Sequence, residues 1–420
     1  MRALISRSRI KGRVSAPSSK SYTLRGLMCA ALARGKSEVI HPLASDDTEA
    51  SLRVLGAIGV GIHQKQDLWR ISGGNLHQAG ADLSCGESAA TLRFMTAICS
   101  ATPGEFRLVA GPSLSRRPIE PLIQALRQLG ATCSSQDGAA AVVIAGGKLR
   151  GGVAELPGDI SSQFVSALLL AAPLMEEGIT VKLTTPLESK PYVQMTLDTL
   201  RKFGVKAQCS RDWREFAVSP QTYRPVKYEV EGDWSSASYL LALGALSGEV
   251  QVENLNLESC QGDKVILDLL KDMGATVMLH KNSVTVRKSK LNAIRVNLSD
   301  CIDLLPTVAV LAAVANGVSE FSGISRARIK ESDRVAAVKE GLNRMGIKVI
   351  EEKNRLVVAG ASPKGSVIDS RDDHRIAMAF SILGVAVGDM VIENAECVAK
   401  TYPQFWEVLK SLAGEVKTDG

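Results

Sequence analysis

The chain has 420 residues, of which 45% are hydrophobic, 22% charged and only 4% aromatic, with a formal net charge of +6. That length exceeds one comfortable hydrophobic core, so two domains are expected. No apolar run is long enough to span a membrane and no secretory leader pattern opens the chain, so a cytoplasmic protein without a membrane partner is expected. Few aromatics and dispersed cations argue against a nucleic-acid-binding stripe. The eight cysteines form no C-x-x-C pair and histidines number five, so no metal site is expected.

In chain order, six apolar stretches each run from a polar loop to a glycine. The glycines are Gly35, Gly104, Gly178, Gly248, Gly317 and Gly388. A spacing of about 70 residues held along the whole chain marks one supersecondary unit used six times. In this reading each glycine ends a helix.

The first copy opens on Ser18-Ser19-Lys20-Ser21, with Arg25 about a turn into the helix. A capped helix flanked by a solvated Lys and Arg is the plain reading. Two cations beside free N–H groups also make a phosphate or carboxylate site. A second helix is expected at 48–58. The second copy opens on Gly86-Glu87-Ser88-Ala89-Ala90, small enough for close ligand approach, and Arg116-Arg117-Pro118 precedes its second helix at 119–129.

The third copy is the most legible. Ser161-Ser162-Gln163 offers hydroxyls and an amide, and an apolar helix follows at 164–175. A β-branched run comes next, then an amphipathic helix at 191–200 and strands at 205–209 and Glu215–Val218. With a strand before the first helix, the unit reads β-α-β-α-β-β. The first helix is apolar nearly all round and should be central, whereas the second has one apolar stripe and should lie outside.

The fourth copy opens on Gly232-Asp233-Trp234-Ser235-Ser236, with a second helix at 264–273 and strands Thr276–Leu279 and Ser283–Arg287. The fifth has Asp303 before Leu304-Leu305-Pro306, then Lys330-Glu331-Ser332-Asp333-Arg334 leading a helix at 332–345. The sixth opens on Asp373-His374-Arg375, and Ala399-Lys400-Thr401 precedes a helix at 403–412. Glu331 suits a helix start, but Lys330 and Arg334 there oppose the dipole, and such local rule-breaking points to a site. Six units divide into two domains of three, with a seam near 223–232 and the chemistry between the domains.

On Ser19-Lys20-Ser21 with Arg25, Arg117-Pro118, Ser161-Ser162-Gln163, Ser189-Lys190-Pro191, Lys330 to Arg334, Asp373-His374-Arg375 and Ala399-Lys400-Thr401, the chain resembles the enolpyruvyl transferase family along essentially its whole length. The resemblance implies an α/β, two-domain inverse α/β barrel-like architecture of six β-α-β-α-β-β units, three per domain. The domains implied are 14–227, and 1–13 with 228–420, with the active site in the cleft between them. It implies enolpyruvyl transfer from phosphoenolpyruvate to the 5-hydroxyl of shikimate 3-phosphate, without metal or organic cofactor. A monomer is expected because one chain completes the site, and closure on the substrates is expected because clustered cations are costly until an anion arrives.

The resemblance further implies that shikimate 3-phosphate is held by Lys20, Ser21, Arg25, Ser161, Ser162, Gln163, Ser189, Asp303 and Lys330. Phosphoenolpyruvate falls to Lys20, Ala89, Arg117, Gln163, Arg334, Arg375 and Lys400. Asp303 is the implied base and Glu331 the implied acid, roles they could exchange or share. Lys20 assists and His374 supports the site from behind. The related UDP-N-acetylglucosamine enolpyruvyl transferases carry a Cys in the loop before Arg-Pro, which 111–118 lacks. A non-catalytic polyanion-binding protein is the alternative from another class.

Three positions depart from the family pattern. Glu87 stands where many relatives have Asn and adds negative charge near an anionic substrate. Arg326 stands where some have Asn. Ala89 replaces Gly, and its methyl narrows the expected phosphoenolpyruvate pocket by one carbon. Ala89→Gly is therefore expected to tighten inhibition by the longer analogue glyphosate. Steady-state inhibition assays check this, and equal, tight inhibition of both forms contradicts it.

Overall fold

An apolar helix between two parallel strands needs both strands in one sheet, because the crossover returns the chain to the same edge direction. The computed structural model, which describes residues 1–136, 139–147, 149–412 and 414–419, contains six four-stranded sheets. In the third copy, Gly152–Leu156 runs parallel to Ile179–Leu183. Glu215–Val218 lies antiparallel to Ile179–Leu183 and takes Gln208–Cys209 along its other edge. The other five sheets all repeat this pattern of one parallel and two antiparallel pairings, and at the chain ends and the seam it is only the origin of the strands that differs.

Two helices serve each copy: α1 (Lys20–Leu32) and α2 (Asp46–Ala57), α3 (Ala89–Ser100) and α4 (Glu120–Gln128), α5 (Ser162–Ala171) and α6 (Lys190–Lys202). They continue as α7 (Trp234–Ser247) and α8 (Ile266–Asp272), α9 (Leu305–Ala313) and α10 (Arg334–Arg344), α11 (His374–Val387) and α12 (Phe405–Ser411). Every residue of α3, α7 and α9 is buried. In α4 only Leu122, Ile123, Ala125 and Leu126 are, which is one stripe. The all-apolar helices thus form the core, and the striped ones cover it. No helix among the described residues is long and apolar enough to cross a membrane.

The glycines do not end the helices as expected. Only Gly248 and Gly388 cap one directly, on α7 and α11. Gly35 and Gly104 open strands, and Gly178 and Gly317 immediately precede them. The reason is the bend from helix into strand. Gly178 has φ +70°, and a Cβ there would lie 2.4 Å from the Val218 carbonyl oxygen, so only glycine fits.

The seam differs from a simple repeat in another way. Ile10–Ser15, which precedes α1 in sequence, pairs parallel with Gly248–Glu253 of the fourth copy. Lys227–Glu229, which precedes α7, pairs parallel with Gly35–Ile40 of the first. The two copies have exchanged leading strands. Tyr228 on the exchanged strand packs where α1 carries Gly26, whose Cβ, if present, would fall 2.5 Å from the ring. Arg2–Ile5 lies between Met390–Glu393 and Val416–Asp419, completing the sixth sheet. The chain accordingly divides into two compact units, residues 18–231, and residues 1–17 with 232–420. The α/β repeat architecture expected from the sequence is the one found.

Candidate active site

In the unit of residues 18–231, the polar loops lie at the starts of α1, α3 and α5. Ser19 caps α1, Ser88 caps α3 and Ser161 caps α5, each accepting from a backbone N–H of the first turn. Lys20 is the first residue of α1 and donates from Nζ to Asp47 Oδ2 at 2.9 Å. Asp47, buried in the first turn of α2, is a partner that sequence reading missed. The Thr91 hydroxyl on α3 lies 3.4 Å from the Asp47 carbonyl oxygen and 2.8 Å from Ser88 Oγ, with one proton to give to either. Ala89 is the first residue of that helix and is buried.

Arg93 was also missed as an organiser. It donates to Gln163 Oε1 at 2.8 Å, Ser161 Oγ at 3.2 Å and the Pro118 carbonyl at 2.9 Å. Its guanidinium rests 5.0 Å from the centroid of Phe164. One buried arginine therefore ties together the loops that carry Ser161, Gln163 and Arg117. The signal was an arginine inside an otherwise apolar helix, a position tolerated only when its donors are satisfied.

Arg25 is tied to the scaffold. It donates from Nε to Thr196 Oγ1 at 2.8 Å, and from its two Nη atoms to the Ser21 and Tyr192 carbonyls at 2.9 Å each. These bonds join α1 to α6. Ser189 opens α6 in a left-handed conformation, φ +55°, a cost that an ordered turn must offset. Ser162 and Arg117 are both buried.

In the other unit, Arg334 is the centre. It is 1% exposed and opens α10. Its Nε donates to Asp373 Oδ2 at 2.8 Å, Nη1 to Asp303 Oδ1 at 2.7 Å, and Nη2 to Glu331 Oε2 at 2.6 Å. Arg375 donates from Nη2 to Asp303 Oδ2 at 3.1 Å, and Lys330 Nζ lies 3.8 Å from Asp303 Oδ1. Asp373 caps α11 and also accepts from Ser332 Oγ at 3.0 Å. His374, the next residue, is buried, with Nδ1 3.9 Å from Asp373. Lys400 is buried in the turn Ala395–Lys400. Arg326 donates to the Ser299 carbonyl at 2.5 Å and so braces the turn before Asp303.

Three cations and three carboxylates thus balance within this cluster, and the cations do not stand bare. Burial alone would raise the Asp303 carboxyl, but Arg375, Lys330 and Arg334 hold it well below the usual carboxylate range. A fourth acid, Asp263, was not foreseen. Ser235 Oγ donates to its Oδ2, while its buried Oδ1 has no partner among the described residues. Burial, aided by the charge of Asp303, pushes it up to about 6.

The Asp263 shift fixes a sign. Between its ordinary value near 4 and about 6, the folded chain binds more protons than the unfolded one, so stability falls as pH rises through that window. Asp263→Asn is expected to remove this slope and to raise Tm by a few degrees at pH 7.5, with the gain shrinking below pH ~5. Thermal unfolding across pH checks it, and a pH-independent difference contradicts it.

The family model described as EPSP synthase (3-phosphoshikimate 1-carboxyvinyltransferase) matches residues 5–409. A 3-phosphoshikimate 1-carboxyvinyltransferase of Dehalococcoides mccartyi is 49% identical, with 100% of both chains covered. One of Methanocaldococcus jannaschii is 39% identical, with 97% of each covered. Among solved structures, EPSP synthase from Acinetobacter baumannii superposes with a TM-score of 0.83 at 27% identity, covering 99% of this chain and 100% of that one. The chain belongs to the EPSP synthase (3-phosphoshikimate 1-carboxyvinyltransferase) family.

Proposed function

We propose that this 3-phosphoshikimate 1-carboxyvinyltransferase uses Asp303 as the base and Glu331 as the acid, both held on the guanidinium of Arg334. It transfers the enolpyruvyl group of phosphoenolpyruvate to the 5-hydroxyl of shikimate 3-phosphate and releases phosphate. The observation that carries the assignment of roles is the buried Arg334, bonded to Asp303 at 2.7 Å and Glu331 at 2.6 Å. A single guanidinium fixes the spacing of two carboxylates, which is what paired proton transfer needs.

In this reading the 5-hydroxyl oxygen attacks C2 while its proton passes to Asp303. C3 takes a proton from Glu331, giving a tetrahedral ketal phosphate. Loss of a proton from C3 and of phosphate from C2 then restores the double bond. Shikimate 3-phosphate draws on Lys20, Ser21, Arg25, Ser161, Ser162, Gln163, Ser189 and Lys330, and phosphoenolpyruvate on Lys20, Ala89, Arg117, Gln163, Arg334, Arg375 and Lys400. Backbone N–H groups at helix starts and the nearby cations suit the two phosphates and two carboxylates that the substrates bring. His374 acts from behind Asp373. One chain supplies every residue named, so a monomer suffices.

The balanced cluster explains how a depressed acid becomes a base. Anions arriving on Arg334 and Arg375 weaken the hold of those cations on Asp303 and Glu331. Asp303 then gains proton affinity and becomes able to take a proton.

Phosphate release with both substrates tests the roles. Asp303→Ala and Glu331→Ala are each expected to lower kcat by about 10²- to 10⁴-fold, and Lys20→Met to lower kcat and raise KM for both substrates. Near-normal activity in all three folded variants contradicts the mechanism.

A further inference from the structure

Glu87 is half-buried at the end of the strand Leu83–Gly86, which pairs in parallel with Gly104–Ala110. The pairing register shifts between Ser84 and Gly86, and such an irregularity re-aims the side chains that follow it. Glu87 Oε1 accepts from the Ser113 backbone N–H at 3.1 Å, and Oε2 from that of Leu114 at 2.7 Å. These are the N–H groups at the start of the 3-10 turn Leu114–Arg116. The turn closes when the Arg117 N–H donates to the Leu114 carbonyl at 3.0 Å. Arg117 is therefore the next residue after a turn whose beginning is held by one carboxylate.

Gly111 provides an independent observation. A Cβ there would fall 2.3 Å from Glu87 Oε1 and 2.8 Å from Cδ. The loop lets the carboxylate in only because residue 111 has no side chain. The Gly111 N–H also donates to the Gly86 carbonyl at 2.8 Å, locking the strand end to the loop beside Glu87. Downstream, Leu114 is buried and Arg93 holds the Pro118 carbonyl. Arg117 is fixed from both sides, by Glu87 ahead of it and by Arg93 behind.

We propose that Glu87 is a positioning residue for phosphoenolpyruvate: its carboxylate caps the 111–116 loop through two backbone N–H groups and so sets the place of the Arg117 guanidinium. This rests on the assignment of Arg117 to phosphoenolpyruvate. It also accounts for an acid near an anionic substrate, since charge-assisted bonds to two N–H groups stabilise the carboxylate where it stands. Without the carboxylate those N–H groups lose their acceptor, and Arg117 loses its fixed anchor. A cation displaced by about an ångström costs rate and affinity well beyond its own contact.

The test measures KM for phosphoenolpyruvate, kcat, and the dissociation constant of shikimate 3-phosphate alone by calorimetry. Glu87→Ala is expected to raise KM for phosphoenolpyruvate about tenfold or more, with kcat falling less and shikimate 3-phosphate binding changed less than about twofold. Gly111→Ala, which crowds the carboxylate out, should show the same split. Glu87→Gln keeps one oxygen acceptor without charge and should fall between wild type and Glu87→Ala. Arg117→Ala gives the comparison: once Arg117 is absent, Glu87→Ala should add little further loss. If Arg117→Ala leaves KM for phosphoenolpyruvate unchanged, the assignment of Arg117 fails and the proposal with it. If Arg117→Ala raises that KM but Glu87→Ala and Gly111→Ala do not, the positioning role alone fails. Equal loss of both substrates, or Glu87→Gln binding phosphoenolpyruvate more tightly than wild type, also overturns it.

Discussion

A single buried guanidinium organises the charged cluster in the unit of residues 1–17 and 232–420. Arg334 is 1% exposed, and taking an arginine out of water costs several kcal/mol unless its donors are met. Asp373, Glu331 and Asp303 meet them, and they more than offset the burial that would weaken its charge. The same bonds bring the start of α10, the start of α11 and the turn before α9 into one cluster. Loss of that one side chain would leave three carboxylates facing one another in a poorly solvated place. Asp263 is pushed towards its neutral form first by its burial and then by the negative charge of Asp303, which the nearby Arg375 only partly offsets.

The repeat supplies the places and the polar exceptions supply the chemistry. Each core helix is apolar because it lies inside its unit, so its only freely variable positions are those at its start. In α1, α3 and α5 these positions hold caps, a lysine and small residues. In α9 and α11, and in the outer helix α10, they hold acids and arginines. Paired partners sit one helix away from each: Asp47 for Lys20, and Asp373 for Arg334. On the proposed function a ligand anion would compete with carboxylates already in place, which would couple binding to proton affinity rather than leave it a simple attraction to bare charge.

Much of this was legible in the sequence, and the illegible parts have a common physical origin. The period of about 70 residues, the apolar and striped helices, and the polar loops bearing Lys20, Asp303, Glu331 and Arg375 follow from local pattern. The hubs do not. Arg334 reads as a misplaced cation at a helix start, because its acceptors Asp303 and Asp373 are 31 and 39 residues away. Arg93 reads as an oddity in an apolar run until Gln163 and Pro118 come beside it. Local pattern is also silent on the strand exchange at the seam, since Ile10–Ser15 and Lys227–Glu229 are both short strands that could pair in either sheet; only the family resemblance pointed to residues 1–13 joining the other domain. The glycines misled in the opposite direction: their spacing is regular, but four of them serve the bend into the strand rather than the end of the helix.

The central claim is that Arg334 acts as a bridge among three carboxylates and not merely as a positive charge. Steady-state kinetics of Arg334→Lys, with folding checked by circular dichroism, test it most directly, because lysine keeps the charge but cannot reach Asp373, Asp303 and Glu331 in a fixed fork. The account predicts a folded protein whose kcat falls by about 10²-fold or more, because the acid and base lose their common anchor. A folded Arg334→Lys variant with kcat within a few-fold of wild type would contradict it.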